Sequence, residues 1–361
     1  MKKKIILVVS IVMIAALTAC LNCSNQNSPE IESLSTALSA PKELKVFMYA
    51  DYINPEIVKD FELRNNCKII MDYFDSNESM YAKIKAGAAG YDMYICTSYM
   101  IKLMFEQKMI QQLDHSKIPN FINVDTEYLQ IALDKNMDHS VPYMTSFAGI
   151  AYNAEKVKDF KPSWKMFERA DLKKRMTLLN DHREVIGAAL KTLGFNLNSK
   201  NENELEAAKQ LVIKWKKNIA KFDVDEAKRG LTAGEFYLIH AYNGAALQFM
   251  KENPKLAFAA PEEGTTLSCD DMVIPAGAKN MELAYKFIDF LLEPEVCAKN
   301  MEFVNYLSPN TPAKLRMPKE FIENPAVWPK PEILNKSNII EDIGDANPMY
   351  SRIWDEIKEA K

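Results

Sequence analysis

Glycine is scarce in this chain, eleven in 361 residues, about half the usual frequency of roughly 7 %. None of the eleven falls into G-x-G-x-x-G or G-x-x-x-x-G-K, so the glycine-rich loops that let backbone approach a phosphate are missing and a nucleotide site is excluded. Histidine is scarcer still. His115, His139, His182 and His240 show no ligand spacing, and neither H-E-x-x-H nor G-x-S-x-G occurs. No metal and no cofactor is therefore expected. Basic residues are not in excess, 45 against 49 acidic, which removes the electrostatic footprint of a nucleic-acid binder. No repeat of 20 to 50 residues is visible, which argues against solenoids and propellers.

What is present begins with an address. Lys2, Lys3 and Lys4 precede an apolar run from Ile5 to Leu17, too short for a comfortable membrane span, and Leu17-Thr18-Ala19-Cys20 ends it at a small-residue cleavage position. This ending resembles a bacterial lipobox. Residues 1–19 read as a signal peptide whose removal leaves Cys20 to carry diacylglycerol, anchoring the protein to the membrane on the periplasmic side without a spanning helix. The alternative is an uncleaved anchor helix, against which no stop-transfer pattern follows. From Leu21 to about Pro41 the chain is dominated by Ser, Asn, Gln and Thr, so 20–42 reads as a solvated tether. Loss of the three leader lysines leaves 42 basic residues against 49 acidic, moving the formal charge from −4 to −7. A moderately acidic exported protein suits cationic ligands better than phosphates.

The cysteines stand at 20, 23, 67, 96, 269 and 297. The C-x-x-C spacing of Cys20 and Cys23 is not read as a redox or metal motif, because Cys20 belongs to the lipobox and no His or Cys cluster completes a site. The other four lie in apolar segments, where buried thiols and one disulfide are both open.

The roughly 320 residues beyond the tether exceed one ordinary core and suggest two lobes. Leu44 to Tyr49, Lys68 to Phe74 and Tyr91 to Cys96 read as strands; a helix starting at Asn54-Pro55, another over Ser76 to Ala86 and a third from Thr97 separate or follow them. Such alternation predicts an α/β fold with a mostly parallel sheet flanked by helices. Met144 to Tyr152 reads as an extended crossing segment. The stretch from Pro162 to Lys221 reads as helix-rich; strands are expected at Phe236 to Tyr242, Leu256 to Ala259 and Asp271 to Pro275, and a helix over Asn280 to Leu292 is closed by Glu293-Pro294.

Carboxylates at strand ends and helix starts, set beside aromatics, carry the chemistry: Tyr49-Ala-Asp51-Tyr52, Thr97-Ser-Tyr99, Asp181-His-Arg-Glu184, Tyr242-Asn243 and Cys269-Asp270-Asp271. In open α/β sheets ligands bind beyond the carboxyl ends of strands. A cleft so lined suits a flexible dication or trication, each ammonium needing a carboxylate and each methylene stem an aromatic face. Each element also has a plain structural reading. Asp181 and Glu184 can answer a helix dipole, Asp270 and Asp271 can be turn residues, and the tyrosines can be half-buried strand residues.

Longer stretches decide between these. Asp75-Ser-Asn-Glu-Ser-Met-Tyr-Ala-Lys-Ile-Lys85, Gly90-Tyr-Asp92, Met109-Ile-Gln-Gln-Leu-Asp114, Ser140-Val-Pro-Tyr143, Asn180-Asp-His-Arg-Glu-Val185, Ile274-Pro-Ala-Gly-Ala-Lys-Asn280 and Tyr306-Leu-Ser-Pro-Asn310 resemble the spermidine/putrescine-binding proteins of bacterial polyamine ABC importers. The similarity runs from Leu44 to Lys361. It implies a two-lobed periplasmic-binding-protein fold of type II, with 43–144 plus 269–314 as one lobe and 145–268 plus 315–361 as the other. It further implies a monomer that captures putrescine or spermidine in the interlobe cleft and delivers it to an inner-membrane ABC permease, with no enzymatic activity. Carried over position by position, the acidic ligand residues fall on Asp51, Asp181, Glu184 and Asp270, and the aromatic and hydroxyl lining on Tyr49, Tyr52, Thr97, Tyr99, Tyr242 and Tyr306. Asp181 and Asp270 would clamp one terminal ammonium, Glu184 a second nitrogen, and Asp51 the far end. Where relatives often have tryptophans this chain has Tyr49, Tyr242 and Ser268, Asp51 stands where Glu is common, and Ile340 occupies a polar position, which leaves the preferred polyamine open. A binder of another cationic solute, such as a basic amino acid or an opine, would keep the acids but need a donor for an α-carboxylate; only Arg183 stands beside them, and its side chain has a ready structural role. A glycoside hydrolase could use Asp181 and Glu184 as acid and base, and an adhesin could use the lobes as scaffold.

Overall fold

The computed structural model describes residues 41–360, so the predicted signal peptide, Cys20 and nearly all of the tether lie outside the described residues. The alternation read from the sequence is there: β1 (Lys42–Met48), α1 (Pro55–Asn65), β2 (Cys67–Tyr73), α2 (Asn77–Lys85), β3 (Met93–Thr97), α3 (Tyr99–Glu106). The helix starts are chemically marked. Asn54 accepts the Glu56 N–H and Pro55 fills the first helical turn, where a missing N–H costs nothing. Ser76 and Ser79 cap α2 reciprocally. β1 lies between β2 and β3 and runs parallel to both.

After α4 (Thr126–Ile131) comes the long strand β4 (Val141–Asn153), which belongs to both halves of the molecule. Its first part, Val141 to Phe147, pairs antiparallel with β9 (Thr266–Val273). Its second part, from Ala148, pairs antiparallel with β7 (Leu238–Tyr242) and β8 (Leu256–Ala259). β5 (Met176–Leu178), followed by α5 (His182–Thr192) and α6 (Glu202–Lys216), runs parallel to β6 (Lys221–Phe222) and to β7. α7 (Asp225–Ala233) and α8 (Asn243–Glu252) flank β7 in sequence, and β10 (Asn338–Ile339) joins β9. The strand order is β2-β1-β3-β9-β4-β7-β5-β6. The sheet is mixed, because the crossing strands β4 and β9 run antiparallel to each other and to β3, β7 and β8, while β10 runs parallel to β9.

Three expectations change. The stretch from Pro162 to Lys221 contains β5, whose three fully buried residues are too few to show a period. The strand expected from Asp271 starts at Thr266. Glu293-Pro294 does not simply end α9 (Met281–Leu291); Pro294 sits in the first turn of α10 (Pro294–Val304), because proline serves a helix start as readily as a stop.

Each half has its own core. Phe61 packs against Phe287 and Phe290, ring centroids 4.7 and 5.3 Å away, within a cluster that joins β1, β2, α9 and α10. Leu178, Val185, Trp215 and Tyr350 belong to a second cluster joining β5, α5, α6 and the C-terminal helix Asn347–Glu359. Tyr242 packs on the margins of both. Cys67, Cys96, Cys269 and Cys297 are buried free thiols, which settles the disulfide question for the described residues.

Candidate functional site

The carboxyl ends of the parallel strands converge. Tyr49 to Tyr52 follow β1, Asn77 and Glu78 follow β2, Thr97 closes β3, Asp181 follows β5 and Tyr242 closes β7. All ten residues that the resemblance assigns to ligand binding line one cavity of about 70 Å³, room for a handful of waters, whereas Asn243 and Asp271 do not line it and bond elsewhere. Among the described residues its lining carries six carboxylates and a single lysine or arginine, Lys228.

Asp270 lies on β9 opposite Thr97, and it is held by donors on both oxygens. Thr97 Oγ1 donates to Oδ1 at 2.7 Å and the Tyr52 hydroxyl to Oδ2 at 2.8 Å. These donors are themselves braced. Asn77 Nδ2 donates to Thr97 Oγ1 while its Oδ1 accepts the Thr97 N–H, and the Tyr143 hydroxyl donates to the Tyr52 carbonyl. Burial pushes the Asp270 carboxyl up and the two hydroxyls pull it back down. It is therefore not a turn residue but an oriented acid inside a strand.

Asp181 answers both readings of the sequence at once. Its Oδ1 accepts the N–H groups of Arg183 and Glu184, at 2.9 and 3.1 Å, capping α5, while Oδ2 faces the Tyr242 hydroxyl at 3.4 Å. One oxygen caps the helix and the other faces the cavity lining. Glu184, on the first turn of α5, is 4 % exposed, and its Oε2 has no hydrogen-bond partner among the described residues. Burial, then the charge of Asp181, lifts the Glu184 carboxyl to about 8, and burial with the charge of Glu78 lifts Asp181. Like charges gathered out of water favour binding of a cation.

Arg183 does not serve the cavity. Its Nη2 donates to Asn198 Oδ1 and to the Glu341 carbonyl, and its guanidinium lies 5.3 Å from the ring centroids of both Tyr99 and Tyr350. Among the described residues no arginine lines the cavity, which removes the natural receptor for an α-carboxylate.

Asp51 is exposed and takes a left-handed backbone (φ 55°); its carbonyl accepts from Gln248 Nε2 at 3.3 Å. Tyr52 stacks edge-on against Tyr306 and Tyr143, with centroids 5.2 and 5.3 Å apart. The Tyr306 hydroxyl accepts the Ala245 N–H, and the Tyr99 hydroxyl donates to Glu78 Oε1 at 2.7 Å. At the departures from the family pattern, Ser268 Oγ lies 2.7 Å from Ser146 Oγ, and both serines and Ile340 line the cavity.

Several participants were missed by sequence reasoning. Asn77 and Glu78 stand at the start of α2 just beyond β2, the same position that drew attention to Tyr99 and Asp181, so consistent use of the strand-end rule finds them. His240, two residues before Tyr242 on β7, shares its face; it packs edge-on against Trp164 and burial pushes it down to about 3, so it stays neutral. Gln248 and Lys228 had no readable signal, being polar residues on helices. Among the described residues no group of His, Cys, Asp and Glu side chains is arranged to hold a metal ion, and no helix is long and apolar enough to cross a membrane.

Residues 56–329 match the family model of bacterial extracellular solute-binding proteins. The spermidine/putrescine-binding periplasmic protein 1 of Haemophilus influenzae is 30 % identical over 364 residues, covering the whole of both chains. The TpPotD lipoprotein of Treponema pallidum, a solved structure, is 31 % identical with a TM-score of 0.76, covering 88 % of this chain and 99 % of that one. The substrate-binding protein PotD of a spermidine/putrescine ABC transporter from Streptococcus pneumoniae is 33 % identical with a TM-score of 0.73, covering 88 % and 98 %. The chain belongs to the bacterial extracellular solute-binding proteins, a family of two-lobed transport proteins rather than enzymes.

Proposed function

Starting from that family membership, we propose that the protein captures a linear polyamine, putrescine or spermidine, between its lobes and delivers it to an ABC permease in the inner membrane. The observation that carries this reading is the trio of buried acids, Asp181, Glu184 and Asp270, in a narrow cavity that offers them no arginine and no lysine but Lys228. The polyamine's ammoniums neutralise the acids, each charge-assisted bond being worth about 1.5 to 3 kcal/mol, and its methylenes, about 0.8 kcal/mol each when buried, lie against Tyr49, Tyr52, Tyr99, Tyr242 and Tyr306. In this reading Asp181 and Asp270 hold one terminal ammonium, Glu184 a second nitrogen and Asp51 the far end. The relatives above are named for spermidine and putrescine, which supports the same class. A basic amino acid is less well served, because its carboxylate finds no guanidinium.

The lobes we assign are 43–144 with 269–314 and 145–268 with 315–361, hinged where β4 and β9 cross. The protein is held on the periplasmic side as a monomer by a lipid on Cys20, a reading supported by Leu17-Thr18-Ala19-Cys20 and by the relative named a lipoprotein. Calorimetry of the leader-free protein with putrescine, cadaverine, spermidine and spermine tests the function. Binding of at least one is expected, weakened in Asp270→Asn by about tenfold to a hundredfold, the scale of one charge-assisted bond. No heat and no thermal stabilisation with any of the four would overturn the reading.

A further inference from the structure

The acidic cleft contains one ammonium of the protein's own. Lys228 stands one turn into α7, and its Nζ lies 2.9 Å from Asp225 Oδ1; the two side chains are 22 % and 44 % exposed. An i,i+3 pair on a helix surface is ordinarily of small consequence, but this one has an unusual position. Lys228, Asp225, Asp51 and Gln248 line both the inner cavity and the wider hollow outside it, whereas Asp181, Glu184 and Asp270 line the inner cavity alone. The cleft thus has two ends. Three buried carboxylates mark the inner end; at the mouth Asp51 and Asp225 stand with Lys228, and Arg229 and Glu252 line only the outer hollow beyond them. Among the described residues Asp51 has no salt-bridge partner, whereas Asp225 already has one in Lys228.

We infer that Lys228 is a specificity-determining residue that limits how long and how highly charged a polyamine the cleft accepts, by occupying from within the protein the place of one further ligand ammonium; the inference rests on the polyamine reading above. A chain held at the inner acids extends its other end toward the mouth. Each ammonium beyond the one that meets Asp51 encounters the like charge of Lys228 and a carboxylate already paired. Removing that charge releases Asp225 and carries the acidic lining outward.

The test compares putrescine, spermidine and spermine on the parent, K228Q, K228R and D225N by calorimetry. In K228Q the affinities for spermidine and spermine rise relative to putrescine by about fivefold, the scale of a partly exposed charge pair. K228R, which keeps the charge, keeps the parent ratios. In D225N, where Lys228 has lost its partner, spermine weakens more than putrescine. Ratios unchanged in K228Q and D225N, or shifted equally in K228Q and K228R, would overturn the role of Lys228. A parent that binds no polyamine refutes the functional reading itself, whereas a parent that binds with ratios insensitive to these changes refutes only the inference.

Discussion

Lowering the pH from 8 to 6 should weaken polyamine binding about fiftyfold, and Glu184 should be responsible. Its carboxyl is raised to about 8, first by burial and then by the charge of Asp181. Ionisation of Glu184 therefore falls away below pH 8, by about tenfold per pH unit. The two primary ammoniums of putrescine, like that of lysine, stay protonated throughout this range, so with putrescine as the probe the ligand does not change. If the bound state requires the ionised acid, the observed association constant follows the ionised fraction, and the fall from pH 8 to 6 amounts to about 2 kcal/mol. The same linkage requires about 0.9 proton to be released on binding at pH 7. Titrations at pH 7 in two buffers of different ionisation heat read that proton directly from the difference in apparent enthalpy. Glu184→Gln should flatten the pH profile. The variant should bind more weakly than the parent at pH 8 by about 1.5 to 3 kcal/mol, the worth of a charge-assisted bond, and the two should converge toward pH 6, where the parent's carboxyl is itself neutral. Affinity that is flat between pH 6 and 8, or a Glu184→Gln variant that keeps the parent's slope, would refute the reasoning.

The unliganded protein should lose stability over the same range. Glu184, raised to about 8, and Asp271, raised to about 7 by burial, both lie above their unfolded values, so the folded state holds more protons than the unfolded one from about pH 4.5 to 8 and stability falls as pH rises. Thermal unfolding at pH 5, 6, 7 and 8 should show a declining midpoint, the decline for Glu184 being cancelled by saturating ligand; a midpoint rising steadily to pH 8 would contradict it. Gly244 tests the packing behind the site. A Cβ there would lie 2.3 Å from the Tyr306 ring, which is 6 % exposed and packs edge-on to Tyr52. Gly244→Ala should therefore destabilise by about 1 to 3 kcal/mol in urea unfolding and also weaken binding, because Tyr52 holds Asp270; an unchanged urea midpoint would show that the ring moves freely.

How much of the site was legible depended on which end of an interaction lay nearby in the chain. Asp51, Thr97, Tyr99, Asp181 and Tyr242 could be found because each stands where a strand gives way to a turn or helix, a boundary that local composition marks. Glu78 stood at the same kind of boundary and went unnoticed as a site residue. The partners that give these residues their properties were not legible. Tyr52 and Asp270 are 218 residues apart, Thr97 and Asp270 are 173 apart, and no local pattern announces such a contact. The structural role expected of Arg183 holds, but its partners were not legible: Asn198, Glu341 and Tyr350 draw the guanidinium away from the cavity.

The sequence by itself determined the alternating elements of the first half, the acids available to the cleft, the lipobox pattern at Cys20 and, through its longer stretches, the family. Those are properties of neighbours along the chain, set by capping chemistry, period and charge. Only the tertiary structure decided that Asp181 divides its two oxygens between a helix cap and the cleft, that Glu184 is buried beside it with its Oε2 unpartnered among the described residues, and that Lys228 stands at the mouth beside Asp225. Each depends on which strand ends converge and on how much water they exclude, and desolvation is a property of the packed assembly that no single segment carries.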